Sequence, residues 1–334
     1  MRKIALIMLV TFAIVLLAGC AAQTVSPGSP DPPSSPDRAT VRVAALRGPT
    51  ALGLLSLMDE NERGETRNNY QFELLGSPDE VPPLLVRGEV DVAAVPSNLA
   101  AVLYNRMPGE IHALAVVTLG VLHIVDTGHE IHSVADLAGR TIFTAGQGTT
   151  SEFALNYVLR KNGLTPGVDV IVEFRSEHAE IAALLETGAA ETALLPEPFA
   201  STVLARIDGL RSALDMTEEW NRVQPDYSLI MSVVIARSEF LETSPEAVSI
   251  LMDEYAQSIS FMTANISDGA QLAVDFGLIP SLGIAESALP RTHIVFLTGE
   301  EMMRNLLGFY SVLYDELPMS IGGEIPEADF FFLP

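Results

Sequence analysis

Two segments of the chain combine glycine and threonine in a way that could bind an oxygen atom. The stretch "RGPT" occupies residues 47–50, and "GQGTT" occupies residues 146–150. Each follows a short apolar run and precedes a stretch with helical periodicity, so each is expected at a helix N-terminus. Helix N-termini present free backbone N–H groups and partial positive charge, which suit a carbonyl or anionic oxygen. The pattern therefore indicates binding of a small polar solute.

A second pair of segments, "PSN" at 96–98 and "PEPF" at 196–199, also follows predicted strands. We name the four segments corner 1 (47–50), corner 2 (96–98), corner 3 (146–150) and corner 4 (196–199). In an open parallel sheet, ligands bind beyond the carboxyl ends of the strands, so we expect the four corners to converge on one cleft. The predicted ligand-binding residues are Thr50, Ala51, Ser97, Asn98, Gly146, Gln147, Gly148, Thr149, Thr150 and Glu197, with Tyr227 and Ser228 from the hinge side.

Turns in any α/β sheet use Gly, Pro, Ser and Thr for geometry alone, so one corner by itself would indicate little. The prediction depends on the duplicated arrangement. Glu197 has two interpretations that the sequence leaves open. Its carboxylate could bind an amine or amidine-like group, which favours a nitrogen-containing ligand such as a pyrimidine precursor over an oxyanion. It could instead open a helix and complement the helix dipole.

The corners recur because the chain contains an internal repeat. Residues 41–104 align with residues 141–204 without a gap, which superposes Gly88 on Gly188 and Pro96 on Pro196. Each copy alternates short apolar strands with helical segments, a pattern typical of parallel sheets covered by helices. The sequence therefore predicts an α/β fold with two similar lobes, each a mostly parallel sheet flanked by helices.

The segments outside the repeat indicate how the lobes are joined. Apolar strands are expected at about 113–120 and 121–126, and "YSLIMSVVIARSEF" supplies another strand before a helical tail. Crossings near residues 120 and 230 would form a two-strand hinge with the ligand cleft between the lobes. We predict lobe I at 41–121 plus 236–334 and lobe II at 122–235.

Residues 1–19 are predicted to be an export signal, because basic "MRK" is followed by an apolar run and then by "LAGC". Because "LAGC" resembles the lipobox of bacterial lipoproteins, it implies cleavage before Cys20 and lipid attachment to its sulfur. An uncleaved transmembrane helix is the alternative, although the apolar run is short for a span. Residues 20–40 are rich in Pro and Ser and read as a disordered tether. We expect an exported, lipid-anchored protein on the extracellular or periplasmic side.

Composition argues against several classes of function. The net charge is −24 and there is no basic stripe, so nucleic acid is not an expected partner. His123, His129 and His132 match no metal-ligand spacing, and no metal or cofactor is expected. No nucleophile–histidine pair lies in the corners, so the chain is not expected to be an enzyme. We expect a monomer.

Three stretches resemble the substrate-binding proteins of ABC importers, specifically the nitrate, sulfonate, taurine and thiamine-precursor group. They are "VADLAGRTIFTAGQGTTSEFALNYVLRKNGL" (134–164), "LLETGAAETALLPEPFAS" (184–201) and "RSEFLETSPEAVSILMDEYAQSISFMTAN" (237–265). The resemblance implies a two-lobed protein that closes on a small solute and delivers it to a membrane permease and its ATPase. The alternatives are a ligand-sensing lipoprotein for a signalling partner, or an enzyme like the pyrimidine synthases that share the fold.

Overall fold

The computed structural model describes residues 38–333. The predicted signal peptide, Cys20 and most of the predicted tether lie outside the described residues. From Ala39 onward the chain forms one compact unit. Within the described part of the chain, no helix is both long and apolar enough to cross a membrane.

Eleven strands lie in the described residues. They are β1 (Thr40–Leu46), β2 (Asn69–Leu75), β3 (Val92–Pro96), β4 (Ile111–Leu119), β5 (Leu122–Asp126), β6 (Thr141–Ala145), β7 (Ile171–Arg175), β8 (Thr192–Pro196), β9 (Arg211–Asp215), β10 (Ile230–Arg237) and β11 (Ile294–Leu297). The central strands are buried along almost their whole length, β3 and β8 among them. Continuous apolar runs are what strands covered on both faces require.

The helices cover both sheets. They are α1 (Pro49–Leu52), α2 (Leu55–Glu62), α3 (Val81–Val86), α4 (Ser97–Arg106), α5 (Thr150–Lys161), α6 (His178–Glu186), α7 (Phe199–Arg206), α8 (Met216–Val223), α9 (Ser238–Thr243), α10 (Pro245–Ala264), α11 (Ile266–Asp275), α12 (Leu282–Ala288) and α13 (Gly299–Glu316). Short 3₁₀ turns occupy Pro78–Glu80, Val134–Leu137, Leu289–Arg291, Pro318–Ile321 and Ala328–Phe330.

The strands form two sheets with the same internal order. Sheet A runs β11-β4-β10-β3-β1-β2, and sheet B runs β7-β6-β8-β5-β9. Read from the β2 edge and the β7 edge, the two orders correspond strand by strand, with β11 as the one addition to sheet A. The predicted α/β fold with two similar halves is confirmed.

Both sheets are mixed in their pairing. β1 pairs in parallel with β2 and β3, and β6 pairs in parallel with β7 and β8. In sheet A, β10 runs antiparallel to its neighbours β3 and β4. In sheet B, β5 runs antiparallel to its neighbours β8 and β9. In sheet B, β5 alone runs opposite to the other strands. In sheet A, β11 also pairs antiparallel with β4, so β10 and β11 both run opposite to the other four strands.

Strand β10 also corrects the predicted domain limits. The chain passes from sheet A to sheet B between β4 and β5, and it returns between β9 and β10. The predicted end of lobe II at residue 235 falls inside β10, which belongs to sheet A along its whole length. Nothing in the sequence of an apolar strand of this kind indicates which sheet it joins. The other limits of lobe I and lobe II stay predictions.

The glycines aligned by the repeat have the same local role. Gly88 follows α3 with φ 66°, and Gly188 follows α6 with φ 71°. The Gly88 N–H donates to the Leu85 carbonyl at 3.0 Å, and the Gly188 N–H donates to the Leu185 carbonyl at 3.1 Å. Positive φ after a helix favours glycine, because other residues meet a steric penalty there.

An aromatic layer joins lobe II helices to the C-terminal tail. Trp220 of α8 is fully buried, with its ring centroid 4.8 Å from that of Tyr157 in α5 and 5.6 Å from that of Phe309 in α13. The Trp220 indole N–H donates to the Tyr227 carbonyl at 2.8 Å. Helix α13 in turn packs on β4 of sheet A. The hydrophobic core is therefore continuous from sheet A to helices α5 and α8.

Candidate functional site

Corners 2 and 3 are in direct contact. The Ser97 hydroxyl oxygen lies 3.0 Å from the Thr150 hydroxyl oxygen, and the Thr150 hydroxyl donates to Asn98 Oδ1 at 3.1 Å. The Ser97 hydroxyl also donates to the Ile230 carbonyl of β10 at 2.6 Å. Residues at the N-terminus of α4 and of α5 thus meet across the two sheets, and all three of these side chains are buried.

The Asn98 amide connects three segments of the chain. Its Nδ2 donates to the Gly148 carbonyl of corner 3 at 2.9 Å and to the Ser320 carbonyl of the tail at 3.2 Å. A short amide side chain at a helix start can reach neighbouring backbone groups in this way. Asn98 therefore ties the sheet A corner both to lobe II and to the tail.

Two glycines fix the shape of corner 3. Gly146 has φ 78° and Gly148 has φ 76°, which are left-handed conformations that suit glycine. The Thr149 hydroxyl donates back to the Gly146 carbonyl at 2.6 Å, and the Gly148 N–H donates to the Glu152 carboxylate at 2.6 Å. The loop is therefore held by its own hydrogen bonds before α5 begins. Gln147 at its tip is exposed.

Corners 1 and 4 also approach each other. A side-chain carbon placed on Gly48 would lie 3.7 Å from Cε2 of Phe199, at ordinary contact distance. Thr50 and Ala51 are buried in α1 immediately after this glycine. The four predicted corners thus meet in two pairs, corner 2 with corner 3 and corner 1 with corner 4.

Glu197 in corner 4 is fully buried and already has a cationic partner. Its carboxylate forms an ion pair with Arg291, which belongs to the 3₁₀ turn Leu289–Arg291 of the tail. The carboxylate also accepts from the Ser201 N–H in the first turn of α7 at 3.1 Å. Because Arg291 compensates the charge, Glu197 gives no reason to prefer an amine ligand. The bond to Ser201 agrees with the helix-start interpretation.

His123 lies beside this ion pair. Its Nε2 is 3.6 Å from the Glu197 carboxylate, and burial lowers its pKa, although Glu197 and Asp215 act in the opposite direction. The imidazole is therefore expected to be neutral at neutral pH. His129 and His132 are exposed in the following loop. No group of three potential metal ligands is close enough to hold an ion among residues 38–333.

His178 packs against corner 4, and the sequence analysis did not predict it. It is the first residue of α6, and its ring centroid lies 4.8 Å from that of Phe199 in corner 4. Burial lowers its pKa to about 4, and its Nδ1 is buried without a hydrogen-bond partner among the described residues. The signal that could have found it is its position directly after β7, at the same carboxyl edge of sheet B as corners 3 and 4.

Tyr227 and Ser228 are exposed on the segment between α8 and β10. The Tyr227 ring lies against α13, since a side-chain carbon placed on Gly308 of this helix would clash with Cδ1 of Tyr227. In the described part of the chain, no side-chain hydrogen bond links Tyr227 or Ser228 to the four corners. That these two residues bind ligand stays a prediction, as it does for every predicted ligand-binding residue.

One family of known proteins matches this chain. The family model described as "ABC transporter, phosphonate, periplasmic substrate-binding protein" matches residues 70–219, from β2 to the middle of α8. The match spans corners 2, 3 and 4. No curated protein sequence matches the chain.

Solved structures share the fold at low sequence identity. An ABC transporter structure from Parabacteroides distasonis is 22% identical with a TM-score of 0.73, and the match covers 89% of this chain and 99% of that one. The alkanesulfonate-binding protein SsuA from Xanthomonas axonopodis pv. citri, bound to MOPS, is 13% identical with a TM-score of 0.68, covering 88% and 96%. The nitrate-binding protein NrtA from Synechocystis PCC 6803 is 14% identical with a TM-score of 0.55, covering 72% and 67%. The chain is thus similar to periplasmic substrate-binding proteins of ABC transporters over residues 70–219, and it shares the fold of these solved structures over most of its length.

Proposed function

We propose that this chain is the extracytoplasmic solute-binding component of an ABC importer, which encloses a small molecule between its lobes and delivers it to a membrane permease. The observation that carries the proposal is the meeting of the four corners in two pairs across the sheets. Corners of this type offer hydroxyls and helix N-terminal amides from both sides of a solute. The matching family consists of binding proteins, and the proposed role requires no catalysis.

The two crossing segments support closure by a hinge. Gly120 lies between β4 and β5, and a side-chain carbon placed on it would clash with the Thr217 hydroxyl in α8, which belongs to the second crossing. The two crossings therefore touch one another and can act as one pivot. Rotation about a few such residues would separate the corner pairs and admit the ligand.

The proposed ligand is a small molecule with an acidic oxygen group. Relatives in fold include proteins named for binding alkanesulfonate and nitrate. Corners 2 and 3 offer hydroxyl and amide groups and no side-chain cation, and the only acid that the structure places inside a corner, Glu197, is compensated by Arg291. Such a lining is compatible with an anion held by neutral donors together with local positive charge.

A thermal-shift panel tests the proposed function. Full-length protein in mild detergent is melted with methanesulfonate, nitrate, methylphosphonate, an aminopyrimidine and the neutral methanesulfonamide. A ligand that binds only the folded state at a hundred times its Kd adds about 2.7 kcal/mol of stability, which should raise Tm by about 5 °C. At least one compound is expected to do so without being converted. No shift from any compound would contradict the proposal, and turnover would favour an enzyme.

We further propose that lipid on Cys20 anchors the protein and that residues after it act as a tether, in keeping with the "LAGC" motif. Substitution C20S should move the protein from the membrane fraction to the soluble fraction, because one covalent lipid group supplies the attachment. The measurement is fractionation of producing cells followed by immunoblotting. Continued membrane retention of the variant would instead support an uncleaved apolar span.

A further inference from the structure

Arg291 is a cation held beside the cleft by a segment that has no counterpart in the repeat. It ends the turn Leu289–Arg291, and the next residue, Thr292, is fully buried with its hydroxyl donating to the Leu289 carbonyl at 2.6 Å. His293 has φ 41° and its ring Nδ1 contacts the Gly120 carbonyl, and its own carbonyl accepts from the Leu119 N–H at 3.1 Å. The segment from 291 to 293 is thus fixed between the first crossing and corner 4.

The guanidinium of Arg291 forms hydrogen bonds to other side chains through Nη2 but not through Nε. Nη2 of Arg291 donates to the Glu197 carboxylate in corner 4 and to the Ser201 hydroxyl in α7, the second at 2.7 Å. Its Nε is buried and has no hydrogen-bond partner among residues 38–333. Buried donors are nearly always paired, and a donor on a cation is the most costly kind to leave unpaired. An acceptor from outside the chain would complete this site.

The surrounding charges favour an anionic acceptor. Glu197 balances the charge of Arg291, and burial lowers the pKa of His123 beside this ion pair. Asp215 faces the other ring nitrogen of His123, so the guanidinium of Arg291 is the cation that an anionic ligand would meet here. The whole chain carries a net charge of −24, which repels anions at long range. An anion therefore needs donors or positive charge fixed locally, and Glu197 fixes Arg291 through Nη2 while the Nε–H has no partner among the described residues.

We propose that Arg291 is a ligand-binding residue whose Nε–H donates to an oxygen of the ligand's acidic group, and that Glu197 is the residue that positions it. This inference rests on the proposed function and assigns the recognition of charge to the tail rather than to the duplicated corners. A lysine cannot replace the arginine, because a single ammonium cannot keep the bond to Glu197 and offer a second donor in the same plane.

Calorimetric titration of the full chain in detergent tests the assignment, with methanesulfonate, methylphosphonate and nitrate as probes and methanesulfonamide as the neutral comparison. We expect R291K and R291Q to lose about tenfold or more in affinity for the oxyanion that the wild type binds, the effect of one charge-assisted hydrogen bond. R237Q is the matched control and should bind like the wild type. Arg237 pairs with Glu239 at the C-terminal end of β10, whereas Ile230 at the other end of this strand contacts corner 2.

The variant E197Q separates ligand binding from a purely structural contact between lobes. It keeps an acceptor for Arg291 but removes the balancing charge, so oxyanion affinity should be unchanged or higher. If Arg291 only held the lobes together through its contact with Glu197, E197Q and R291Q would weaken ligand binding to the same extent. That result would overturn the inference. An oxyanion bound equally by the wild type and R291Q would also overturn it while leaving the proposed function intact. Binding of neutral probes alone would overturn both this inference and the proposed acidic ligand, and would leave only the solute-binding role. Binding of no probe would contradict both the inference and the proposed function.

Discussion

Substitution of Gly148 by valine is expected to weaken ligand binding by about ten- to thirtyfold while the protein remains folded. Gly148 has φ 76°, a conformation that costs a β-branched residue at least about 1–2 kcal/mol. No atom lies within 4 Å of a side-chain carbon at this position, so the effect is backbone strain rather than a clash. Relief of that strain would move the carbonyl that accepts from Asn98 across the cleft. Titration calorimetry with the panel's ligand measures the loss.

Gly163 provides the matched control for this substitution. It has φ 77° and also has no atom within 4 Å of a side-chain carbon, but it lies two residues beyond the C-terminal end of α5. G163V should therefore lower the free energy of unfolding by a similar amount, measured in urea, and leave ligand affinity unchanged. Equal affinities for G148V and G163V would remove corner 3 from the binding site.

The duplicated architecture could be predicted from the sequence because its physical requirements repeat. Three features recur at a constant offset of 100 residues. They are the short apolar runs covered on both faces, the glycines with positive φ after α3 and α6, and the prolines that end β3 and β8. The carboxyl ends of parallel strands then determine where the corners must lie. That reasoning anticipated the contact between corner 2 and corner 3.

The features that could not be predicted depend on contacts between distant, unrepeated segments. Arg291 and Glu197 are 94 residues apart, and nothing near either residue marks the other as its partner. His178 aligns with Pro78 in the first copy, so duplication gave no sign of it. The direction of β5 and β10 within their sheets was equally hidden, because an apolar run has the same composition in either direction.

The central claim is that the two halves of the molecule close on a solute. Pulsed electron spin resonance on spin labels at Glu62 and Glu186, in a C20S background, tests it most directly. Both residues are exposed, and they end α2 beside sheet A and α6 beside sheet B. We predict that saturating ligand shortens and narrows the distance distribution toward the separation in the structure described here. An identical distribution with and without a ligand that calorimetry shows to be bound would contradict the account.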